Sequence, residues 1–444
     1  MGGFYLIHST GFLLTMRNSG DISTFITTSW NNNYIPHSVH CNDIMKHKLG
    51  LLLLLPTVKA FFFFGSKNQL QPSGLTINQI TSLAQKRYGV NNPENDKPML
   101  GKTAVITGAA GGIGRELSSI MHRLGGTVIA MDRNETGLNE LKETLDQTTF
   151  NNGKNENRII MLPTHHEDLA SVAQSAEQII SQFDCIDLLV NNAGISYPLT
   201  STPGDSKLKS KHGMDLAFTI NYLSHVLLVE KLKPVLTKSS HSRIVHVTST
   251  YHWKVNGSEL IPDQYLKSPK AYQSDPSLQV AQHITRSYAN TKLAQLWHSR
   301  SITNCTSVCA CPTWVATNIG GEDARDFLER FAFPVSGAGI TSTLNAIFRT
   351  EDELGDALNG GTSFVANSKI AEYLPLKSIW TSRFVTQLGW RDPIVDFFGL
   401  ILLLAQRFTH DDFIVQQSSP ESNNNKEGMD NFHRWSLNEV KPYL

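Results

Sequence analysis

From about residue 100 to 370 the chain repeats one pattern of apolar and polar positions. Short runs rich in β-branched residues alternate with stretches whose apolar positions recur at helical spacing. Thr103–Thr107, Thr127–Met131, Ile159–Leu162, Ile186–Val190, Arg243–Ser249 and Val308–Pro312 are the runs that read as strands. After the first, Ile113, Leu117, Ile120, Met121 and Leu124 share one helical face, and Gly125-Gly126 stops the helix. After the third, Leu169, Val172, Ala173, Ala176, Ile179 and Ile180 do the same. Strands alternating with helices predict an α/β fold with a doubly wound parallel sheet. Gly360–Phe364 reads as the last strand.

The two ends break the pattern. Residues 1–44 mix Asn, Ser, Thr and His without sustained periodicity. Met45-Lys-His-Lys48, the apolar run Leu49–Leu55 and Thr57-Val-Lys-Ala60 then have the order of a secretory signal. Because this begins well inside the chain, either Met45 is the start or the segment is a membrane anchor. Pro56 and Lys59 leave it short for a spanning helix, and a buried core segment is the plain alternative. Phe61–Phe64 directly after Ala60 resembles the Ala-Phe junction of two-part plastid leaders. Residues 1–65 are therefore expected as a leader or anchor, with an endomembrane or membrane-associated location and a plastid as the alternative. Residues 66–98 read as a linker with one short helix, Ile77–Tyr88, ending in a Pro- and Asn-rich boundary. Residues 371–444 read as a C-terminal extension. Its apolar stretch Ile394–Ala405 is too short to span a bilayer, and it is expected on a membrane surface, at a lipophilic entrance, in a dimer contact or as a buried helix. Residues 416–430 read as a polar, disordered link.

Candidate chemistry enters with the first strand. Thr107 leads into Gly108-Ala-Ala-Gly-Gly-Ile113-Gly114, and a helix follows at once. Strand, glycine turn and helix are the context of a Rossmann-type dinucleotide site. Gly108, Gly112 and Gly114 let backbone approach a pyrophosphate, whose charge meets the helix N-terminus. Asp132, at the end of the second strand, is placed to accept from ribose hydroxyls, and its charge repels a 2′-phosphate. It therefore favours NAD(H), whereas the neighbouring Arg133 could hold that phosphate, so NADP(H) stays open.

Far downstream, Tyr288-Ala-Asn-Thr-Lys292 puts a phenol and an ammonium on one helix face, about one turn apart. Beside a cationic cofactor ring, such a phenol has its pKa lowered and serves as general acid or base. By itself the spacing occurs in many exposed helices. Tyr265 and Tyr272 lack a lysine four residues on and read as loop or lid residues.

The glycine spacing Thr-Gly-x-x-x-Gly-x-Gly resembles the short-chain dehydrogenase/reductase family. The resemblance continues in Asp168-Leu169, in Asn191-Asn192-Ala193-Gly194, in Asn221, in Ser249 after the fifth strand and in Pro312 with Val315 and Thr317. It implies that Ser249, rather than Thr248, polarises the substrate oxygen, that Tyr288 transfers the proton, and that Lys292 holds the nicotinamide ribose. It also implies that Asn221 connects a proton relay, that Asp168 and Leu169 contact adenine, and that Thr317 reaches the carboxamide. The family has Pro-Gly where this chain has Pro312-Thr313, and a Thr at positive φ would be strained. About forty residues separate Ser249 from Tyr288, and Tyr251-His252, Lys292-Leu-Ala and Trp435-Ser436 resemble the retinol dehydrogenase-like branch.

Composition narrows the rest. In 444 residues, 39 Lys and Arg balance 39 Asp and Glu, which gives no electrostatic case for nucleic acid binding. Cys41, Cys185, Cys305, Cys309 and Cys311 form no regular framework, so a disulfide scaffold is not expected, and no metal site is expected either. Buried strand thiols are the better reading of the last three. The expectation is a single Rossmann-type domain over residues 99–370 that uses NAD(P) to interconvert a lipophilic alcohol and its aldehyde or ketone. A reductase of a plastid pigment or lipid is the alternative within enzymes, and a non-catalytic cofactor-binding module the alternative outside them. The apolar segments near the two ends add membrane association, and the family resemblance a homodimer, as candidate partners.

Overall fold

The structure is a computed structural model that describes residues 4–7, 13–16, 74–92, 96–150, 158–196, 209–258, 260, 276–320, 332–359, 361–368, 406 and 410–444. The chain divides into two compact units, Met1–Gln71 and Pro72–Leu444. In the first, β1 (Phe4–Ile7) and β2 (Leu13–Met16) pair antiparallel with Phe4 opposite Met16. The stretch expected to lack regular structure thus holds a short hairpin. The signal-like segment at 45–60 lies outside the described residues.

The second unit is organised by one sheet. Helix α1 (Ile77–Tyr88) precedes it. There follow β3 (Thr103–Thr107), α2 (Gly112–Arg123), β4 (Thr127–Asp132), α3 (Glu135–Phe150), β5 (Ile159–Pro163), α4 (Leu169–Gln182) and β6 (Leu188–Asn191). The second half runs through α5 (Ser224–Leu236), β7 (Arg243–Val247), α6 (Pro276–Ser301), β8 (Thr306–Ala310), α7 (Ala338–Phe348) and β9 (Ser363–Ser368). It closes with β10 (His410–Gln417) and α8 (Lys426–Val440). The strand order is β10-β9-β8-β7-β6-β3-β4-β5, parallel throughout except for the antiparallel β10–β9 pair. Order reverses between β3 and β6, and the crevice there is where open α/β sheets bind ligands.

Strand side chains alternate between two cores, as a sheet covered on both faces requires. Ala104, Ile106, Leu188, Val190, Val245 and Val308 meet α1, α2, α3 and α7 on one face. Val105, Leu189 and Ile244 meet α4, α5, α6 and α8 on the other. Arg243, fully buried on β7, donates from Nη1 to the carbonyls of Ala346, Ile347 and Arg349, satisfying orphan acceptors at the end of α7.

Three expectations change. Residues 363–368 are not the last strand, because β10 adds an antiparallel edge beyond them. Residues 416–430 are not a disordered link, because they hold the end of β10, a short helix Pro420–Asn424 and the start of α8. The segment read as a linker supplies α1, whose Ile80, Ala84 and Tyr88 are buried in the main core. The apolar stretch Ile394–Ala405 lies outside the described residues. Among those described, no helix is long and apolar enough to cross a membrane.

The C-terminal helix α8 is integral rather than appended. Phe432 stacks on Tyr222 at 5.4 Å between centroids and meets Phe218 and Trp297 edge-on, and the Tyr222 hydroxyl bonds Ser436 at 3.0 Å. Removing a buried phenyl leaves a cavity as well as lost transfer energy. Phe432→Ala should lower unfolding stability in urea by about 3–5 kcal/mol. A change within about 0.5 kcal/mol, the range of an ordinary surface substitution, would mean that α8 is peripheral.

Candidate active site

The glycine turn is built by side chains around it. The Thr107 hydroxyl donates to Val190 O (3.2 Å) and accepts the backbone N–H groups of Asn192 and Ala193, both at 2.9 Å. Asn192 Nδ2 donates back to Thr107 O at 2.9 Å and lies 3.4 Å from Gly108 O. Gly108 and Gly112 have φ of 68° and 52°. A Cβ on Gly114 would sit 2.1 Å from Gly108 O, and one on Gly194 3.3 Å from Asn221 Oδ1. A Cβ on Gly112 would meet Thr317 Cγ2 at 3.3 Å, so the loop after β8 passes over this turn. Ile113 packs on the core below, while Ala193 is itself buried.

These features fit a dinucleotide. The N-terminus of α2 has no side-chain cap and no acidic residue in its first turn, and Gly111 faces open space. Its free N–H groups suit an anionic pyrophosphate. Asp132 ties the turn to β4: Oδ2 accepts from Ala110 N at 3.0 Å and Oδ1 from Asn134 N at 2.9 Å. A carboxylate has further lone pairs for ribose hydroxyls. Arg133 is largely exposed and lies 3.9 Å from Glu167.

Asp168 and Leu169 are otherwise engaged. Asp168 caps α4 through Ala170 N (3.1 Å) and pairs with Lys211 Nζ (2.6 Å), whose hydrogen bond holds its carboxyl below the usual range. Leu169 N donates to His212 Nε2 at 3.0 Å, and its side chain is core.

The reactive groups converge at the ends of β7 and β8. Lys292 is buried on α6, and its Nζ donates to Val247 O at 2.8 Å, 5.3 Å from the centroid of the Tyr288 ring. Ser249 is partly exposed, accepts from Tyr251 N at 3.2 Å and hydrogen-bonds the Tyr288 hydroxyl. Thr248, by contrast, is buried and donates to Lys292 O at 3.1 Å, so Ser249 is the hydroxyl that faces the phenol. Burial pushes the Tyr288 pKa up, with the Cys311 side chain adding to this and Ser249 opposing it. Burial lowers Lys292 to about 8, offset in part by Cys311 and Cys309. In the protein alone, desolvation therefore outweighs any help from the lysine. The lowering of the phenol is expected only beside a bound cationic cofactor ring, and the protein alone shows the opposite direction. Cys309 and Cys311 are buried thiols, and Cys305 is half-buried.

Asn221 lies in a single wide, π-type turn, Thr219–Leu223, a feature frequent at functional sites. Its side chain holds Ile195 by both N–H (2.8 Å) and C=O (2.9 Å) and reaches Thr291 Oγ1 at 3.2 Å. Its main-chain carbonyl accepts from Gln295 Nε2 (2.8 Å) and lies 3.0 Å from His225 Nδ1. Its partners are thus neighbours of Tyr288 and Lys292 rather than those two side chains.

After Pro312, Thr313 does adopt the strained conformation, at φ 62°. Its hydroxyl shares one proton between Pro312 O at 2.6 Å and Asn367 Oδ1 at 3.1 Å, while Asn367 Nδ2 donates to Ala338 O at 2.9 Å. A bond from β9 thus holds a branched residue where glycine would be easier. Val315 is buried and bridges Phe333. Sequence reading passed over Trp314. Its ring lies 5.9 Å from Tyr251, which lies 6.0 Å from Tyr288, so the three line one aromatic wall. Gln406 fixes Trp314 by both backbone groups, at 3.2 and 3.0 Å, a contact across 92 positions that no local pattern signals.

Comparison with known proteins agrees with this geometry. The family model described as short chain dehydrogenase matches residues 102–258. An oxidoreductase of Schizosaccharomyces pombe is 30% identical over 255 residues, 54% of this chain and 66% of its own length. Retinol dehydrogenase 14 of Mus musculus is 29% identical over 261 residues, 54% of this chain and 70% of its own. Retinol dehydrogenase 13 of Homo sapiens is 31% identical over 155 residues, 34% of this chain and 42% of its own. The matched part thus spans between 42% and 70% of these relatives. The crystal structure of a 3-ketoacyl-ACP reductase from Sinorhizobium meliloti aligns with 50% of this chain and 76% of its own at 21% identity and a TM-score of 0.36. That likeness is too shallow to add to the sheet order. By class the chain is an NAD(P)-dependent dehydrogenase/reductase. It belongs to the short-chain dehydrogenase/reductase family, on the side of its retinol dehydrogenase-like members.

Two outcomes follow from the local geometry. Thr313→Val keeps the branched Cβ at positive φ and loses the bond to Asn367, and should cost about 1–3 kcal/mol in urea unfolding. Thr313→Gly, which relieves the strain, should stay within about 1 kcal/mol of wild type; equal losses in the two variants would contradict the assignment. Between about pH 8 and the ordinary lysine value, folding holds Lys292 neutral while the unfolded chain binds its proton. Stability from this group therefore rises with pH through that window. Lys292→Met should flatten that part of the stability–pH curve, and an unchanged slope would contradict a buried lysine.

Proposed function

We propose that this chain interconverts a lipophilic alcohol and its aldehyde or ketone, with Tyr288 as general acid in reduction and general base in oxidation. The observation that carries the reading is the Ser249–Tyr288–Lys292 cluster beside an uncapped glycine turn. Ser249 donates to the substrate oxygen and fixes it against the phenol. Tyr288 gives that oxygen a proton as negative charge develops on it. Lys292, held by Val247 O, places positive charge beside the phenolate, and Asn221 keeps the Ile195 segment and Thr291 in place around it. The nicotinamide nucleotide supplies the hydride. Gly108, Gly112, Gly114 and the start of α2 would hold its pyrophosphate, Asp132 its adenosine ribose, and Lys292, Pro312, Val315 and Thr317 its nicotinamide end. The roles given to Asp168 and Leu169 at the adenine require Lys211 and His212 to share those two residues with the ligand.

The aromatic wall of Tyr251, Tyr288 and Trp314 supports a lipophilic substrate, because an apolar molecule gains most by covering such surface. Retinol dehydrogenases among the relatives point the same way. We read residues 1–65 as a leader or anchor that takes the enzyme to an endomembrane, 99–370 as the cofactor-binding core, and 371–444 as an extension that completes it. Homodimer formation and membrane association belong to the same reading, with a plastid location as the alternative that the Ala60-Phe61 junction supports.

Tyr288→Phe should keep the fold and cofactor binding while turnover of lipophilic aldehydes and ketones falls by roughly 10²–10⁴. Equal rates in the two proteins would remove Tyr288 from the chemistry. Wild-type protein that binds NADH or NADPH but turns over nothing on a broad panel would favour a binding module. Asp132 leads us to expect tighter binding of NADH than of NADPH. Asp132→Ala should narrow that gap by on the order of tenfold, the worth of one or two hydrogen bonds, in calorimetric titration. An unchanged ratio would assign the selectivity elsewhere.

A further inference from the structure

We propose that His252 is a positioning residue for Ser249, bridging the Ser249 carbonyl to the Ser419 amide just beyond β10. The C-terminal extension thereby sets the direction of the reactive hydroxyl. The part played in turnover rests on the function proposed above; the bridge itself rests on contacts that need no substrate.

Ser249 is the second residue past β7, where the register with β8 has ended. Thr248 N still donates to Ala310 O at 2.8 Å, and Ser249 then opens a tight turn, Thr250–Lys254. The direction of its hydroxyl therefore depends on that turn rather than on the sheet. Tyr251 N donates to Ser249 Oγ at 3.2 Å, which orients the side chain. His252 holds the main chain of the same residue twice. Its N–H donates to Ser249 O at 3.2 Å, and its ring Nδ1 lies 2.7 Å from that oxygen. A carbonyl can only accept, so Nδ1 carries the ring proton.

The other ring nitrogen reaches the tail. Ser419 N donates to His252 Nε2 at 3.2 Å, across 167 positions. A donor on that side requires a bare Nε2, in agreement with the proton on Nδ1. The two ends thus select one tautomer of a neutral ring. His252 is fully buried, and Phe364 of β9 meets its ring edge-on at 5.3 Å.

Ser419 is buried and is anchored without help from His252. Its neighbour Ser418 donates from N to Thr362 O at 2.7 Å, beside the start of β9. Ser422 N lies 3.0 Å from Ser419 O and 3.3 Å from its Oγ, at the start of the short helix Pro420–Asn424. The Ser419 amide is therefore a fixed point, and as a buried N–H it needs an acceptor.

Filling this hole would take only an aromatic ring. Bonds from opposite ends of the ring, one to Ser249 and one to the tail, are more than packing requires. The same turn carries Tyr251, whose ring lies 6.0 Å from Tyr288 and 5.9 Å from Trp314. One buried imidazole thus steadies both the serine and a member of the aromatic wall. A displacement of about 1 Å at a reacting group can cost on the order of a hundredfold in rate.

The test uses the full chain. NMR with ¹⁵N-labelled histidine should show a ring with its proton on Nδ1 and a bare Nε2, and His252→Asn should remove that signal. A proton on Nε2 of His252 would overturn the bridge. Ser419→Pro and Ser419→Ala both lose the hydroxyl, but only proline loses the N–H, and Ser419 already has the φ of −59° that proline needs. With a carbonyl substrate, kcat should be several-fold lower in Ser419→Pro than in Ser419→Ala at the same KM. Equal kcat in the two would remove the tail from the site. His252→Phe keeps a ring against Phe364 and loses both bonds, so kcat should fall by about tenfold or more at constant KM. His252→Asn, whose amide N–H can stand where Nδ1 stood, should recover part of that loss. Equal kcat in the Phe and Asn variants would assign His252 to packing alone. If wild type turns over no carbonyl or alcohol, the proposed function fails, and the tautomer still decides the bridge.

Discussion

The hydrogen bond from Lys292 Nζ to the Val247 carbonyl is the constraint on which the site depends. It is buried, and its donor is a cationic group that burial has already pushed down to about 8. An ammonium taken out of water is costly unless its protons are bonded. The carbonyl at the end of β7 is a fixed partner, so it pins the middle of α6 against the sheet. One turn earlier on the same helix, Tyr288 then falls beside Ser249, the second residue past that strand. Thr248, between them, closes the arrangement by bonding the Lys292 carbonyl. An uncapped helix N-terminus and an open glycine turn follow β3, two strands away in the same sheet.

Local chemistry made much of this legible. The glycine turn and the first six strands of the main sheet depend on short-range patterns, and the structure places them within a residue or two. Thr313 shows how far such reading can go: an expected strain is present, and what could not be read was the compensation, a hydroxyl bond to Asn367 on a strand 54 positions away. Where partners lie far apart in sequence, reading failed. Residues 416–430 read as a polar link because the residues that α8 buries are few, Phe432, Ser436 and Val440, and their partners belong to distant helices. Tyr222 and Ser436, bonded to each other, are 214 positions apart. Trp314 escaped notice for the same reason, since its role comes from Tyr251 and Gln406 rather than from its neighbours in sequence.

The helix that sequence reading left out of the domain supplies an aromatic plug for the second core, where Phe432 stacks on Tyr222 and Val440 is buried. The tail is part of the fold by packing.

Deuterium tracing tests the central claim most directly. Protein supplied with NADH or NADPH deuterated at the hydride position, a lipophilic aldehyde and ordinary water should form an alcohol with one deuterium on the carbinol carbon, seen by mass spectrometry. The hydroxyl proton should come from solvent. Alcohol formed without carbon-bound deuterium, or labelled alcohol formed at the same rate without the Tyr288 hydroxyl, would contradict the account.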